Sequence, residues 1–341
     1  MGDVVIPEYV VFHGDTLLVE RIGENAFKGS SSLYSVTMPN TIKTIGKSAF
    51  GNCTVMKSIT IPSSVEIIEN GAFNGCTAIT SFVIPNSVKR IEAGAFYACT
   101  KLSSITFSSS LYDVGFDAFG YTKWFTSKSN GLVYAGPVAY KYKGTIPQGT
   151  TVNIKNGTLG IAEQCFLDCK GLSYVTIPET VINIGISALQ GCTGLTSIKI
   201  PESVTHISNN MLSLCSNITE ITLGSNVKTI GNYAFGECKG LKEICCYAED
   251  APDIISTVFS GVNINKILLI VPDNAIESYM AHPVWKKFLI ENITGIPSLN
   301  ADGLYMKAAY DLSGRKMSNG RRKGIYIIRM KDGTTKKTMI K

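Results

Sequence analysis

The sequence predicts an α/β repeat solenoid built around a parallel β-sheet, and three observations carry that prediction. Ala26, Ala49, Ala72, Ala95 and Ala118 stand 23 residues apart, and Cys165, Ala188, Met211 and Ala234 resume the same step. A fixed period in this range signals stacked units, because one such unit cannot bury its own apolar face. Each unit also holds a β-branched stretch that alternates apolar and polar residues, such as Ser58-Ile59-Thr60-Ile61-Pro62, which reads as a short strand with one buried face. Around Ala49-Phe50 the apolar residues fall three and four apart, the spacing of one helical or 3₁₀ turn.

The full unit reads V-x-x-I-G-x-x-A-F-x-x-C-x-x-L-x-S-I-x-I-P-x-S. Its proline blocks further strand pairing and turns the chain. Stacked in register, the strands lie about 4.8 Å apart. Phe27, Phe50, Phe73, Phe96, Phe119, Phe166 and Phe235 then form a buried ladder, with Leu189 and Leu212 on two further rungs. Seven of the ten cysteines (Cys53, Cys76, Cys99, Cys169, Cys192, Cys215 and Cys238) share one position, three residues after the ladder. Free cysteine behaves as a small buried hydrophobe, so a core ladder is expected. Side chains stacked in parallel need not meet the torsion of a disulfide, and a linear array does not converge on a tetrahedral zinc ion.

The I-G-x-x-A-F-x-x-C-x-x-L core resembles the repeat of the BspA-like bacterial leucine-rich-repeat surface proteins, and the resemblance spans roughly residues 18–295. It implies a leucine-rich-repeat arc displayed outside the cell and associated with adhesion. It supplies no catalytic site and no named ligand.

The ends and one interruption depart from the repeat. Residues 1–17 are expected to cap the amino-terminal rung, through a hairpin of Val10-Val11-Phe12 and Thr16-Leu17-Leu18-Val19 about the Gly14-Asp15 turn; terminal repeats of solenoids need such covers. The repeats run from 18 to 246. Between Ala118 and Cys165 lie 47 positions, one period plus 24 residues, so an insertion falls at about 120–150. Within it, Leu132-Val133-Tyr134 and Val138-Ala139-Tyr140-Lys141-Tyr142 flank Ala135-Gly136-Pro137, which reads as a β-hairpin. Residues 247–295 are expected to cap the other end, with a strand at Ile267–Val271 and an amphipathic helix from Ala275 to Phe288 interrupted at Pro283.

Residues 296–341 are read as a small carboxy-terminal β module, with strands at Tyr310–Lys316 and Gly324–Arg329 and a hairpin at Asp332-Gly333. The order Y-D-L-S-G-R-K, G-I-Y-I-I and a basic final strand resembles the carboxy-terminal sorting domains of Bacteroidetes secreted proteins. That resemblance implies export or retention at the outer membrane.

Charge and motifs narrow the function. The formal charge of +6 is confined to one end: from Asp302 onward there are eleven Lys/Arg and three Asp/Glu, which leaves 21 basic and 23 acidic residues elsewhere. A nucleic-acid binder would run a basic stripe along its main surface, so nucleic acid is not an expected partner. The chain opens Met1-Gly2-Asp3 without a basic and apolar leader. Either the protein is cytosolic, or a signal peptide has been removed; the family resemblance favours the second, hence an extracellular or outer-surface location. No G-x-S-x-G, H-E-x-x-H, P-loop or paired zinc-type C-x-x-C motif occurs. His13 is read as a solvated turn residue and His282 as a structural residue of the carboxy-terminal helix, while His206 sits in a repeat with no spaced acidic or cysteine companion. No catalytic residue, cofactor or metal is expected.

The expected activity is binding, to a host extracellular protein or glycan, by a monomer associated with the outer membrane. Insertions in repeat proteins often sit on a binding face, and Tyr and Trp are frequent anchors. The candidate contacts are therefore Tyr121, Trp124, Phe125, Tyr134, Tyr140 and Tyr142 of the insertion, with Tyr174, Lys199 and Glu220 outward on the strands. The alternative for the insertion is that its aromatics pack the hairpin onto the solenoid. The alternatives for the whole chain are a self-associating structural surface protein or a carbohydrate-active solenoid enzyme.

Overall fold

A computed structural model describes residues 2–292 and, beyond them, the strands Met306–Tyr310, Gly324–Met330 and Thr335–Ile340. The chain divides into two compact units. One comprises Met1–Pro147, Asn153–Cys169 and Pro178–Gln190; the other comprises Gln148–Val152, Lys170–Ile177 and Gly191–Lys341. Each is a stretch of parallel-sheet solenoid, the leucine-rich-repeat architecture. Its helical share is small: among the described residues the α-helices are Lys123–Thr126 and Ile276–Ala281.

In the first unit, two-residue strands at Arg21–Ile22, Thr44–Ile45, Ile67–Ile68, Arg90–Ile91 and Asp113–Val114 form a five-stranded parallel sheet. A second row carries the longer strands read from the sequence. Asp3–Val5 pairs with Ser35–Thr37, and Ser81–Val83 pairs with Ser104–Thr106. In the second unit, Ser197–Lys199, Glu220–Leu223, Glu243–Cys246, Leu268–Val271 and Leu289–Asn292 form a five-stranded sheet, all parallel.

The Ala-Phe half of the unit is neither the α-helical nor the regular 3₁₀ turn its spacing predicts, although its internal bonds keep the three-residue step of the latter. Ala49, Gly51 and Cys53 donate to Gly46, Ser48 and Phe50, three residues back, while Ser48, Phe50 and Asn52 donate to Asn70, Ala72 and Asn74 of the next repeat. A helix would satisfy these N–H groups within its own turn. Here alternate donors bind adjacent rungs, so the turn itself is part of the stacking ladder. The alternation needs left-handed residues before the Ala and before the Cys: Ser48 (φ 50°) and Asn52 (φ 59°) in this repeat, Gly71 and Gly75 in the next. Gly and Asn are tolerated there.

Phe50, Phe73, Phe96 and Phe119 are buried, and successive rings from Phe27 to Phe119 stack with centroids 5.2 to 5.4 Å apart. Seven of the cysteines form the expected core row, and no two of the ten are joined as a disulfide. Their side chains do more than fill space. Cys53, Cys76 and Cys99 donate Sγ–H to the carbonyls of Phe27, Phe50 and Phe73, at 3.0 to 3.1 Å. Each thiol thus adds a second donor to a ladder carbonyl one repeat back that already accepts a backbone N–H.

At the amino end, Tyr9–Phe12 and Asp15–Leu18 form the expected hairpin. Its side chains do not cover the first rung, however: Val10, Val11, Phe12, Leu17 and Leu18 are exposed, and Phe27 is only half-buried. It is Asp3–Val5 that extends the strand row. Towards the other end, Phe259 adds a ring 5.4 Å from Phe235, and Trp285 and Phe288 pack on Phe259 at 5.7 and 5.1 Å. The single interrupted helix expected there is a series of short turns, 3₁₀ at Asp273–Ala275 and Trp285–Lys287 about the α-helix.

The carboxy-terminal strands make a three-stranded antiparallel sheet. Its first strand is Met306–Tyr310, earlier than the sequence reading placed it, and Gly324–Met330 pairs with Thr335–Ile340 across residues 331–334. The rest of the Tyr310–Lys316 reading and the Asp332-Gly333 turn lie outside the described residues.

Candidate binding surface

The insertion at 120–150 is built into the solenoid. Its hairpin forms between Gly131–Ala135 and Val138–Lys143, and the second strand pairs in parallel with Gly160–Ile161. Phe96 donates its N–H to the Ala118 carbonyl of the next rung; Phe119 donates instead to the Tyr140 hydroxyl at 3.0 Å. Tyr142 in turn donates its N–H to the carbonyl of Cys165, the residue in the Ala position of the following repeat, and its ring lies 6.2 Å from Phe166. Tyr142 therefore occupies a rung between Phe119 and Phe166, in a repeat whose motif has been lost.

The preceding segment is anchored with equal care. The Thr122 side chain caps the Lys123–Thr126 helix by accepting from the Phe125 N–H at 3.1 Å, and its hydroxyl donates to the Phe119 carbonyl at 2.7 Å. Trp124 donates its backbone N–H to the Leu102 carbonyl at 2.7 Å. Its indole is buried against Phe107, Phe119 and Tyr140. Lys143 Nζ donates to the carbonyls of Phe125, Thr126 and Lys128, closing the helix C-terminus. Lys141 pairs with Asp117 at 2.7 Å.

This geometry sorts the nine candidate contacts. Trp124 and Tyr140 are buried, so they hold the insertion in place and present nothing to a partner; burial also pushes the Tyr140 phenol pKa up. Phe125, Tyr134 and Tyr142 are half-buried. The Tyr134 hydroxyl accepts from the Lys155 N–H at 3.1 Å, and Lys155 Nζ lies 4.4 Å from its ring. Tyr121 is 63% exposed, with its ring edge-on to Tyr97 at 5.1 Å. In the other unit, Tyr174, Lys199 and Glu220 are exposed on their strands, with Ser197 and Lys199 in register with Glu220 and Thr222.

Hydroxyls flanking the strand rows have a structural use that periodicity did not reveal. Ser103 and Thr219 donate to the carbonyls of Thr80 and Thr196, 23 residues back. Thr41, Ser64 and Thr180, beyond the strand, donate to Val19, Ile42 and Thr158. Their signal was the recurrence of Ser/Thr at fixed places in the unit. The strand rows also contain a gap. Ser58–Thr60 makes no ladder with Ser35–Thr37, and a depression of about 410 Å³ lies there, lined by both segments with Met38, Asn40 and Pro62.

The titratable groups are tied to this framework. Arg90 Nε holds Asp113 at 3.0 Å, and Glu163 accepts from the Phe116 N–H at 2.9 Å. Burial raises the Glu163 pKa, with Asp113 and Glu92 adding to the effect. His282 Nδ1 accepts from the N–H of Val284 at 3.2 Å, and burial lowers its pKa. Among the described residues, no three His, Cys, Asp or Glu side chains converge as a metal site.

Stacked parallel strands, a phenylalanine ladder and thiols hydrogen-bonded across repeats define a leucine-rich-repeat solenoid. The profile of the BspA type leucine-rich-repeat region matches in six copies, over residues 19–128 and 140–280, and the chain belongs to that family. Among solved structures it is similar to a leucine-rich-repeat protein from Bacteroides ovatus: 20% identity over 86% of this chain and 92% of that one, TM-score 0.33. A leucine-rich cell surface protein from Faecalibacterium prausnitzii shares 20% identity over 86% and 88%, with a TM-score of 0.35. The pneumococcal vaccine antigen PcpA shares 18% over 82% and 86%, also with a TM-score of 0.35. No curated protein matches.

Proposed function

We propose that this protein is a non-catalytic binding protein, secreted or held at the cell surface, that adheres to a host extracellular protein or glycan. The observation that carries this reading is the exposure of strand-row side chains on both units: Ser104, Thr106, Tyr174, Lys199 and Glu220 face solvent. Within each unit the repeats thus hold polar side chains in register on a parallel ladder, which suits binding over an extended area. Tyr121 adds an exposed ring at the edge of the insertion. The BspA type of the repeats supports the surface location, and the sequence resemblance of residues 296–341 to sorting domains supports export with outer-membrane association. Nucleic acid is not a partner in this reading.

The test is binding of the purified chain to arrayed matrix proteins and glycans, beside variants at Tyr121 and Tyr174. Saturable binding weakened by either substitution supports the proposal; no binding to any arrayed molecule overturns it. Self-association as a structural surface protein is a second reading, favoured by the amino-terminal hairpin. Val10, Val11, Phe12, Leu17 and Leu18 leave that hairpin apolar and open, and exposed apolar patches mark interaction sites. Concentration-dependent light scattering separates a monomer from such an assembly.

A further inference from the structure

We propose that the insertion and the neighbouring strand row form a binding surface for a polyanionic glycan, anchored by Lys101, Lys123 and Lys128. This rests on the adhesion reading above and specifies its ligand class.

The first observation is the distribution of charge. From Ala118 to Ala162 there is no Asp or Glu, while Lys123, Lys128, Lys141, Lys143 and Lys155 all fall in that stretch. Extending the window back to Asn70 adds only Glu92, Asp113 and Asp117 as acids. Each is already neutralised in place: Glu92 and Asp113 face Arg90, and Asp117 pairs with Lys141. Lys143 is used as a helix cap. Lys101, Lys123 and Lys128 have no carboxylate partner among the described residues, and all three are exposed.

The second observation is that the fold brings these three together. The Trp124 N–H bond to the Leu102 carbonyl sets Lys123 beside Lys101, because each lysine immediately precedes a bonded residue. Lys128 lies two residues past the end of the same short helix, with Nζ 5.2 Å from the Trp124 ring and its carbonyl bonded to Lys143. The helix is held from below by buried Trp124 and Thr122, so the ammonium groups stand on a fixed base. Three cations without carboxylate partners raise the local concentration of an anion, and their attraction is screened by salt.

The third observation selects a glycan. Beside the lysines, Ser104 and Thr106 face outward, with Ser104 in register with Ser81. Adjacent rungs lie about 4.8 Å apart, near the length of one pyranose unit. Hydroxyls both donate and accept, matching sugar hydroxyls, while lysines meet sulfate or carboxylate groups. Exposed Tyr121 supplies an apolar ring face at the edge.

The test is hydrogen exchange of the full chain with and without a heparin hexasaccharide, because the carboxy-terminal segment is itself basic and bulk retention alone would not locate the site. Protection at residues 101–106 and 121–128 is expected. It should vanish, and site affinity should fall at least tenfold, in the combined variant Lys101→Glu, Lys123→Glu and Lys128→Glu. Lys228→Glu with Lys242→Glu is the control and should leave protection unchanged. Protection confined to residues beyond 300, or undiminished in the triple variant, overturns the proposal. Equal protection by polyglutamate overturns the glycan assignment in favour of charge alone. Binding to neutral glycans or matrix proteins that ignores the triple substitution overturns it too, while leaving the adhesion reading standing.

Discussion

The Phe119 N–H donates to the Tyr140 hydroxyl at 3.0 Å, in the place where Phe96 meets the Ala118 carbonyl at 2.7 Å. A side chain here substitutes for the backbone of a missing repeat. Tyr140 is 1% exposed, so removing its hydroxyl leaves the Phe119 donor without water or a partner. Tyr140→Phe is expected to lower stability by about 1–3 kcal/mol, the cost of an unsatisfied buried group. Urea unfolding checks this, and a midpoint equal to that of the parent chain would refute the substitution of roles.

The insertion separates structural from exposed aromatics. Trp124→Ala empties a site enclosed by Phe107, Phe119 and Tyr140 and should cost about 3–5 kcal/mol. Tyr121→Ala should stay within about 0.5 kcal/mol, since that ring is exposed. Denaturation of both variants tests the contrast. For the same reason, replacing residues 122–148 wholesale would remove the Tyr142 rung along with any contact surface, and lost binding in that variant would not locate a site.

The core thiols make stability fall in alkali. Nine of the ten cysteines are buried and Cys245 is half-buried. Burial pushes Cys169 up to about 11 and Cys99 and Cys238 up to about 12, from the ordinary 9.0. The folded chain thus keeps protons that the unfolded chain releases. Where the folded state binds more protons, stability declines with rising pH. The contribution of these thiols is whole below pH 9 and is lost progressively between about 9 and 12. Urea midpoints should hold from pH 7 to 8.5 and drop above 9. Alkylation at pH 8 without denaturant should label Cys245 before any other cysteine, as the thiolate is the nucleophile.

Much of this architecture was legible from spacing alone. The step from Ala26 to Ala118 located the phenylalanine and cysteine ladders, because each rung from Ala49 to Ala118 buries the same positions. The two-residue strands such as Thr44–Ile45 were invisible, since a period of two cannot show in two residues. The turns at Ser48 and Asn52 imitate helical spacing while bonding to the next repeat, and the sign that distinguishes them is the Asn, Ser, Gly or Asp before Ala26, Ala49, Ala72, Ala95, Ala118 and Ala188. The repeat holding Tyr142 escaped notice because backbone pairing with Cys165 survives without the Ala-Phe motif. In the candidate surface, residue type marked the insertion correctly, but only packing shows that Trp124 and Tyr140 face inward and Tyr121 outward.

Gly23 and Gly46 follow Ile22 and Ile45 at the same place in successive repeats, yet only one of them needs to be glycine. The Gly46 N–H donates to the Ile22 carbonyl at 2.9 Å, and a Cβ on Gly46 would collide with that carbonyl oxygen and press on the backbone of Gly23 and Glu24. At Gly23 an added Cβ meets nothing within 4 Å. Gly46→Ala must therefore push two rungs apart, at a cost of about 1–3 kcal/mol, as overpacking usually imposes. Gly23→Ala restricts the unfolded chain without a clash and should be neutral or stabilising by about 0.4–1 kcal/mol. Thermal melts of the two variants should move in opposite directions or differ by several degrees. Equal shifts would mean that rung spacing at this position is not set by the glycine.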